Sequence, residues 1–275
     1  ALQLAATQLK ATGSQLGALI SPAATLEEMF LAQKLVRGLG SADIDTRLRQ
    51  QDFRGDATDP LLPWLGLAIA DVEKQGAILL VGSDIRAEIP LLAHRIRKAA
   101  MDSQARVITI NPYALALTFP AEQFTGTPTA NLGDLAAIAK ALGAKGGPGS
   151  VKDLIAHATP SDRHQASAQA LLQAKSGVVL LGALAAAQPD YALLKALASV
   201  VAKAAKFDLG FLPAAANATG AALAGALPQV EPGARAAATP GAAVDALLNA
   251  PRKAYLLWNV EPGHDLIDPA LGLPV

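Results

Sequence analysis

The clearest pattern in the sequence is a series of short apolar runs, each followed by a longer segment with helical spacing. Six runs predict strands, at residues 17–22, 77–82, 106–112, 177–182, 207–212 and 254–260. Continuous apolar runs of this length are typical of strands buried on both faces of a parallel sheet. Because helical segments separate them, the pattern predicts an α/β fold made of Rossmann-like units, in which mainly parallel sheets are flanked by helices.

The helical segments carry start signals and apolar stripes. The strongest start signal is at Thr25, which has the spacing of a capping box with Glu28. In the helix that follows, the predicted inward face includes Leu35 and Val36. Further helices are predicted over residues 63–75, 89–99, 135–142, 161–175, 189–205 and 240–248, whereas residues 44–53 and 213–228 are predicted as a loop and as a loop or broken helix.

A glycine-rich segment marks the predicted division of the chain. Residues 144–150 read Ala-Lys-Gly-Gly-Pro-Gly-Ser, a composition that favours a linker. Since the strand and helix pattern starts again after it, we expect a first α/β unit at residues 1–146 and a second at residues 147–275. Each is long enough to bury a core of its own.

Composition excludes several classes of function. Lys plus Arg and Asp plus Glu both number 23, so the basic excess of a nucleic-acid-binding protein is absent. The one dense basic cluster, residues 95–98, is interpreted as the end of a helix, where the helix dipole favours cations. No cysteine is present, which excludes disulfides and Cys-ligated zinc or iron–sulfur clusters in this chain.

The sequence predicts neither a membrane span nor a signal peptide. Its longest apolar stretches, residues 61–70 and 178–187, are shorter than the roughly 20 residues that a spanning helix needs. The sequence starts at Ala1 without an initiator Met or a basic region before an apolar core. We therefore expect an internal fragment of a longer protein.

No catalytic or metal-binding motif stands out. The glycines at residues 38–40 and 146–149 match neither the dinucleotide-binding fingerprint nor the phosphate-binding P-loop. The four histidines, at positions 94, 157, 164 and 264, lack metal-ligand spacing. We therefore expect no catalytic residue and no metal ligand in this chain.

The best candidates for a binding site are residues that directly follow predicted strands. Gly82, Ser83 and Asp84 follow one strand, while Asn111 and Asn259 end two others. Open α/β sheets bind ligands at the carboxyl ends of their strands, where backbone amides favour anions. These five residues are the candidates for a vestigial pocket. Ser83 is expected to be a turn residue rather than a nucleophile.

Several blocks of sequence resemble one known family. They are residues 21–28 (Ser-Pro-Ala-Ala-Thr-Leu-Glu-Glu), 34–41 (Lys-Leu-Val-Arg-Gly-Leu-Gly-Ser), 45–50 (Asp-Thr-Arg-Leu-Arg-Gln), 79–84 (Leu-Leu-Val-Gly-Ser-Asp), 90–99 and 108–112 (Ile-Thr-Ile-Asn-Pro). These blocks resemble the large iron–sulfur subunits of bacterial NADH–quinone oxidoreductase, in their molybdopterin-oxidoreductase-like region. More broadly they are similar to molybdopterin enzymes of the formate dehydrogenase type, and a looser likeness continues into the second half.

The resemblance implies a fold, and it also points to departures from the pterin enzymes. The corresponding pterin domains are interleaved, so residues 1–55 would pack with the C-terminal half instead of obeying the linear boundary. Ile85 stands where the pterin enzymes tend to have Pro, and residues 182–185 (Gly-Ala-Leu-Ala) are apolar where a polar cofactor cradle is expected. The resemblance therefore implies no cofactor in this chain, with the Fe–S clusters in a missing upstream domain.

The function expected from this resemblance is structural. The chain would be a cofactor-free scaffold beside the Fe–S domain of an electron-transfer subunit, without an active site of its own. Its partners would be the other peripheral-arm subunits, on the cytoplasmic side of the bacterial inner membrane, with no nucleic acid and no direct membrane span. The alternative is a residual guanine-nucleotide or molybdopterin binding module at the strand ends.

Overall fold

A computed structural model describes residues 1–266 and divides the chain into two compact units. Unit 1 is discontinuous: it combines Ala1–Pro63 with the chain from Pro213 onward, while unit 2 is Trp64–Leu212. The predicted linear boundary between residues 146 and 147 is therefore not where the chain divides. That boundary lies inside unit 2, because Leu135 before it and Val151 after it are buried in the same hydrophobic core.

The elements are numbered in chain order. The helices are α1 Leu2–Thr12, α2 Leu26–Gly38, α3 Ile85–Glu88, α4 Pro90–Asp102, α5 Pro128–Ala141, α6 Gly149–His157, α7 Asp162–Gln173, α8 Ala183–Ala186, α9 Tyr191–Ala205, α10 Ala218–Ala224, α11 Val244–Asn249 and α12 Pro262–Asp265. The strands are β1 Leu16–Ile20, β2 Ile44–Asp45, β3 Ala77–Val81, β4 Arg106–Asn111, β5 Glu122–Thr125, β6 Gly177–Leu181, β7 Asp208–Phe211, β8 Val230–Glu231, β9 Arg235–Ala236 and β10 Ala254–Trp258. Two 3-10 segments, Gly13–Gln15 and Ile69–Lys74, complete the list.

Unit 2 is built on a five-stranded parallel sheet in the order β5-β4-β3-β6-β7. The chain starts at the central strand β3, adds β4 and β5 on one side, and then returns to add β6 and β7 on the other. Side chains of β3 alternate between two cores, Leu79 facing one and Leu80 the other. Helices α5, α6, α7 and α9 cover the first core and α4 covers the second, so the central strands are buried on both faces.

Unit 1 holds a smaller parallel sheet in the order β10-β1-β2. Alternate residues of β1 enter different cores: Ala18 packs with residues of α2 and α10, and Leu19 with residues of α11. The predicted capping box at the start of α2 is confirmed. The Glu28 amide donates to Thr25 Oγ1 at 3.2 Å, and the Thr25 amide donates to Glu28 Oε2 at 2.7 Å.

The six predicted strands are confirmed, with shifts of one or two residues at their ends. Three of the element predictions for residues 25–75 are wrong. Leu35 does not face inward but lies exposed on α2. Ile44 and Asp45 form the short strand β2 within the predicted loop. No α-helix covers residues 63–75, where only a 3-10 segment forms, because the chain first runs beside β7. There the Phe211 amide bonds the Trp64 carbonyl at 2.8 Å.

The basic cluster at residues 95–98 also differs from its interpretation. Helix α4 continues beyond it to Asp102, so these cations do not lie in the last turn. Arg95 and Lys98 are instead paired with Glu73, each at 2.6 Å. Within the described part of the chain, no helix combines the length and apolar character that crossing a bilayer requires.

Candidate functional site

The carboxyl end of the unit 2 sheet brings four of the five strand-end candidates together. Gly82, Ser83 and Asp84 leave β3, and Asn111 is the last residue of the neighbouring strand β4. The fifth candidate, Asn259, is a residue of unit 1 that follows β10 and has a positive φ of 52°. Since β4 and β6 lie on opposite sides of β3 and the chain reverses direction there, the turn after β3 stands at the topological switch point of the sheet.

Asn111 and Ser83 are joined by a buried pair of hydrogen bonds. The Ser83 amide donates to Asn111 Oδ1 at 2.8 Å, and Asn111 Nδ2 donates to the Ser83 carbonyl at 3.1 Å. Both residues are fully buried. The Asn111 side chain therefore provides hydrogen-bond partners for both the amide and the carbonyl of Ser83. These two bonds fix the turn after β3 to the end of β4.

The switch point contains one acidic residue that sequence reasoning missed. Glu88, the last residue of α3, accepts through Oε1 from the Asp84 amide at 2.9 Å. Its Oε2 accepts from the Ser83 hydroxyl at 2.9 Å and from the Ala183 amide at 3.3 Å. Ala183 lies just beyond β6, 95 residues away in the chain, and no local spacing could indicate that contact.

Two glycines allow the turns after β3 and β6 to come this close. Gly82 has a positive φ of 60°, and a methyl group added to it would overlap the backbone of Ala185. A methyl group on Gly182 would meet the Ser83 side chain and would lie 2.8 Å from Glu88 Oε2. Only glycine, which has no Cβ, permits this approach of backbone to backbone.

The enclosure of Glu88 raises its pKa above the ordinary carboxyl value. Burial is the largest cause, and the charge of Asp84 acts in the same direction. The hydrogen bonds from the Ala183 amide, the Ser83 hydroxyl and the Asp84 amide oppose the rise. Glu88 is thus a partly buried acid whose negative charge is held by neutral donors.

A pterin or a nucleotide phosphate does not fit this arrangement. Such a ligand needs free backbone amides at the strand ends. The amides of Ser83, Asp84 and Ala183 all have acceptors within the chain, and two carboxylates, Asp84 and Glu88, already lie there. A phosphate placed beside these carboxylates would be repelled, and these three amides already have acceptors.

Histidines are not gathered into a metal site. Within residues 1–266 there is no group of three or more His, Cys, Asp or Glu side chains arranged to hold a metal ion. His164 has local partners: its Nε2 lies 3.0 Å from Asp134 Oδ1, and its Nδ1 accepts from the Ser161 amide at 3.0 Å and lies 2.8 Å from Ser161 Oγ. Because Nδ1 already bonds the amide at the start of α7, His164 acts as a helix cap.

A second strand-end network lies in unit 1. Asp45, at the end of β2, is fully buried and accepts from the Thr46 amide at 2.8 Å and the Val244 amide at 3.2 Å. The Arg47 guanidinium pairs with it at 2.9 Å and with Asp56 at 2.6 Å. This carboxylate is thus balanced by a cation, and the network ties β2 to the start of α11.

A cavity of about 300 Å³ lies at the other end of the unit 2 sheet, beside the amino end of β4. Its polar lining comes from Arg106, Glu122, Arg163 and Ser167, and small apolar residues make up the rest. Arg163 is already paired with Glu122 and lies over the ring of Phe124. The cavity therefore offers no convergent set of catalytic groups.

Comparison with a solved structure gives a weak likeness. It is to a chain of the formyltransferase/hydrolase complex from Methylorubrum extorquens, crystallised with methylofuran, at 17% identity and a TM-score of 0.46. It covers 76% of this chain and 55% of that one. A likeness at this level does not establish a shared fold.

The sequence comparisons are stronger. The NADH-quinone oxidoreductase G subunits of Mycobacterium bovis and Mycobacterium tuberculosis are each 30% identical over 251 residues, which is 86% of this chain. The chain spans only 26% of the length of these curated relatives. The family model described as molybdopterin oxidoreductase matches residues 1–260. Since that match extends over nearly the whole chain, the protein belongs to the molybdopterin oxidoreductase family.

Proposed function

We propose that this chain is a cofactor-free scaffold within the large iron–sulfur subunit of an NADH–quinone oxidoreductase. The observation that carries the proposal is the closed switch point of unit 2, where the amides of Ser83, Asp84 and Ala183 are all bonded within the chain. The similarity to the two mycobacterial relatives supplies the setting. A region that kept its α/β core while its ligand site closed would act by packing against the neighbouring domain and subunits.

The proposed role follows from what the chain offers physically. With no cysteine it has no thiolate ligand for an Fe–S cluster, so the clusters would belong to a preceding domain of the longer protein. The buried sheets and their helices would form a rigid support for that domain and for neighbouring subunits. The proposed location is the peripheral arm, on the cytoplasmic side of the bacterial inner membrane.

A second candidate is a residual guanine-nucleotide or molybdopterin site. One observation favours it: Gly82, Ser83 and Asn111 lie at the switch point of a doubly wound sheet, where such folds bind ligands. Thermal denaturation with millimolar GTP or GDP discriminates between the two, since a bound nucleotide raises the melting temperature. The scaffold proposal predicts no shift with either nucleotide, whereas a saturable shift would support the binding module.

Native purification tests the proposed setting. The full-length protein that contains this chain would be tagged on the chromosome and isolated under mild conditions. We expect NADH–ferricyanide reductase activity and iron to elute with it at a constant ratio through size exclusion. Elution of the tagged protein alone, free of both, would contradict a place in that complex.

A further inference from the structure

The crevice between β3 and β6 is the place where unit 2 would hold a ligand. The chain leaves β3 toward β4 and reaches β6 only later, so the connections diverge on either side of this crevice. The Asp84 amide lies on its β3 side and the Ala183 amide on its β6 side. Glu88 Oε1 accepts a hydrogen bond from the Asp84 amide, and Glu88 Oε2 accepts one from the Ala183 amide.

We propose that the Glu88 carboxylate takes the place of an external anion at the switch point and closes the crevice from within. This inference rests on the proposed cofactor-free function and deepens it, because it names the side chain that makes a ligand unnecessary. The chemical class it replaces is a small oxyanion, such as phosphate, which would use the same amides.

The donor set is that of an anion site. Two backbone amides and the Ser83 hydroxyl bond Glu88, and within residues 1–266 no basic side chain is paired with it. Sites made of backbone amides bind phosphate or carboxylate through neutral donors in this way. An ordinary structural carboxylate of this chain, Asp45, is instead paired with Arg47.

The Glu88 carboxylate occupies the crevice. Glu88 Oε2 lies 2.8 Å from the position that a methyl group on Gly182 would occupy, so the carboxylate is in contact with the turn after β6. The carboxylate of Asp84 caps α3 beside it. An external phosphate can therefore reach these amides only when the Glu88 carboxylate has been removed.

Hydrogen exchange at the two amides tests this assignment, with inorganic phosphate as the probe. In Glu88→Ala we expect exchange at Asp84 and Ala183 to accelerate by more than about tenfold and millimolar phosphate to restore the protection. Glu88→Gln keeps the bulk and loses the charge; because it has one acceptor oxygen and one NH2 group, it should expose one of the two amides, without a response to phosphate. The matched control is Glu28→Ala, which removes a capping carboxylate from unit 1 and should leave Ala183 unaffected.

Unchanged protection of Ala183 in both Glu88 variants would overturn the proposal, and so would loss of protection in Glu88→Ala that phosphate does not restore. If Glu88→Ala does not fold, Glu88→Gln is compared with wild type: exchange that is unchanged from wild type at both Asp84 and Ala183 overturns the proposal. Failure here leaves the proposed scaffold function standing. That function fails separately, if the native protein contains a pterin.

Discussion

Two turns that leave the central strands of the two sheets use the same chemistry in different surroundings. After β1, Glu28 reaches back to the Thr25 amide at 2.7 Å; after β3, Glu88 reaches back to the Asp84 amide at 2.9 Å. The first contact is local and lies at the protein surface. The second continues across the sheet to Ala183, in a partly buried crevice.

The surroundings give the two carboxyl groups opposite pKa shifts. The hydrogen bond from the Thr25 amide is the largest cause of the lowered pKa of Glu28, whereas burial is the largest cause of the raised pKa of Glu88. A carboxylate that caps a surface helix is thus stabilised as an anion. A carboxylate that closes a crevice is retained despite the cost of its burial, and this contrast favours a role for Glu88 beyond capping.

The largest effect is expected from the first residue after each central strand. Gly82→Ala places a methyl group against the backbone of Ala185 at a positive φ, so we expect it to lower the free energy of unfolding by about 3 kcal/mol or more. Ser21→Ala removes only a 3.3 Å bond to the Ala23 amide and should cost less than about 0.5 kcal/mol. Urea denaturation measures both. Equal losses of unfolding free energy in the two variants would mean that the turn after β3 is no more sensitive to substitution than the turn after β1.

The next effect concerns the side chain that joins β4 to the turn after β3. Asn111→Ala leaves the buried Ser83 amide and carbonyl without partners, so we expect a loss of about 2–4 kcal/mol. Its control on the same strand is Thr109→Val, since Thr109 Oγ1 is buried without a partner among the described residues. That change should be neutral or stabilising by up to about 1 kcal/mol. If Thr109→Val also lowers the free energy of unfolding, the loss in Asn111→Ala cannot be assigned to its hydrogen bonds with Ser83.

A smaller effect is expected at the capping box of unit 1. Thr25→Ala removes the acceptor for the Glu28 amide at the start of α2, so we expect a loss of about 1 kcal/mol. Thr7→Ala, on the exposed surface of α1, is the control and should cost less. Calorimetric melting of both variants makes the comparison. If Thr25→Ala destabilises the protein no more than Thr7→Ala does, the capping box does not contribute to stability and α2 is held by its packing alone.

The smallest effect is a pair of pH dependences with opposite signs. The lowered pKa of Glu28 adds stability above the ordinary carboxyl value of 4.5, and this is lost as pH falls below it. The raised pKa of Glu88 means that stability present below 4.5 is lost as pH rises through the folded value. The free energy of unfolding of wild type minus that of Glu28→Gln should therefore rise with pH. The free energy of unfolding of wild type minus that of Glu88→Gln should fall with pH. Parallel slopes would contradict the contrast between the turns.

The same comparison explains how much the sequence could predict. The six apolar runs and the Thr25 capping box depend on neighbours within a few residues, and all are found in the structure. Short strands such as β2 were missed because two residues carry no period. The division into units was misplaced, since a glycine-rich segment marks a loop equally well inside a unit and between two. Glu88 was missed because its contact with Ala183 depends on the order of the strands.

The central claim, a molybdopterin-oxidoreductase fold that works without its cofactor, is tested most directly by elemental analysis. The full-length protein would be purified from cells grown with both molybdenum and tungsten available, its metals measured by mass spectrometry and any released pterin by fluorescence. We predict metal far below stoichiometric amounts and no pterin. Stoichiometric molybdenum or tungsten together with a pterin would contradict the scaffold account and would make the strand-end residues cofactor ligands.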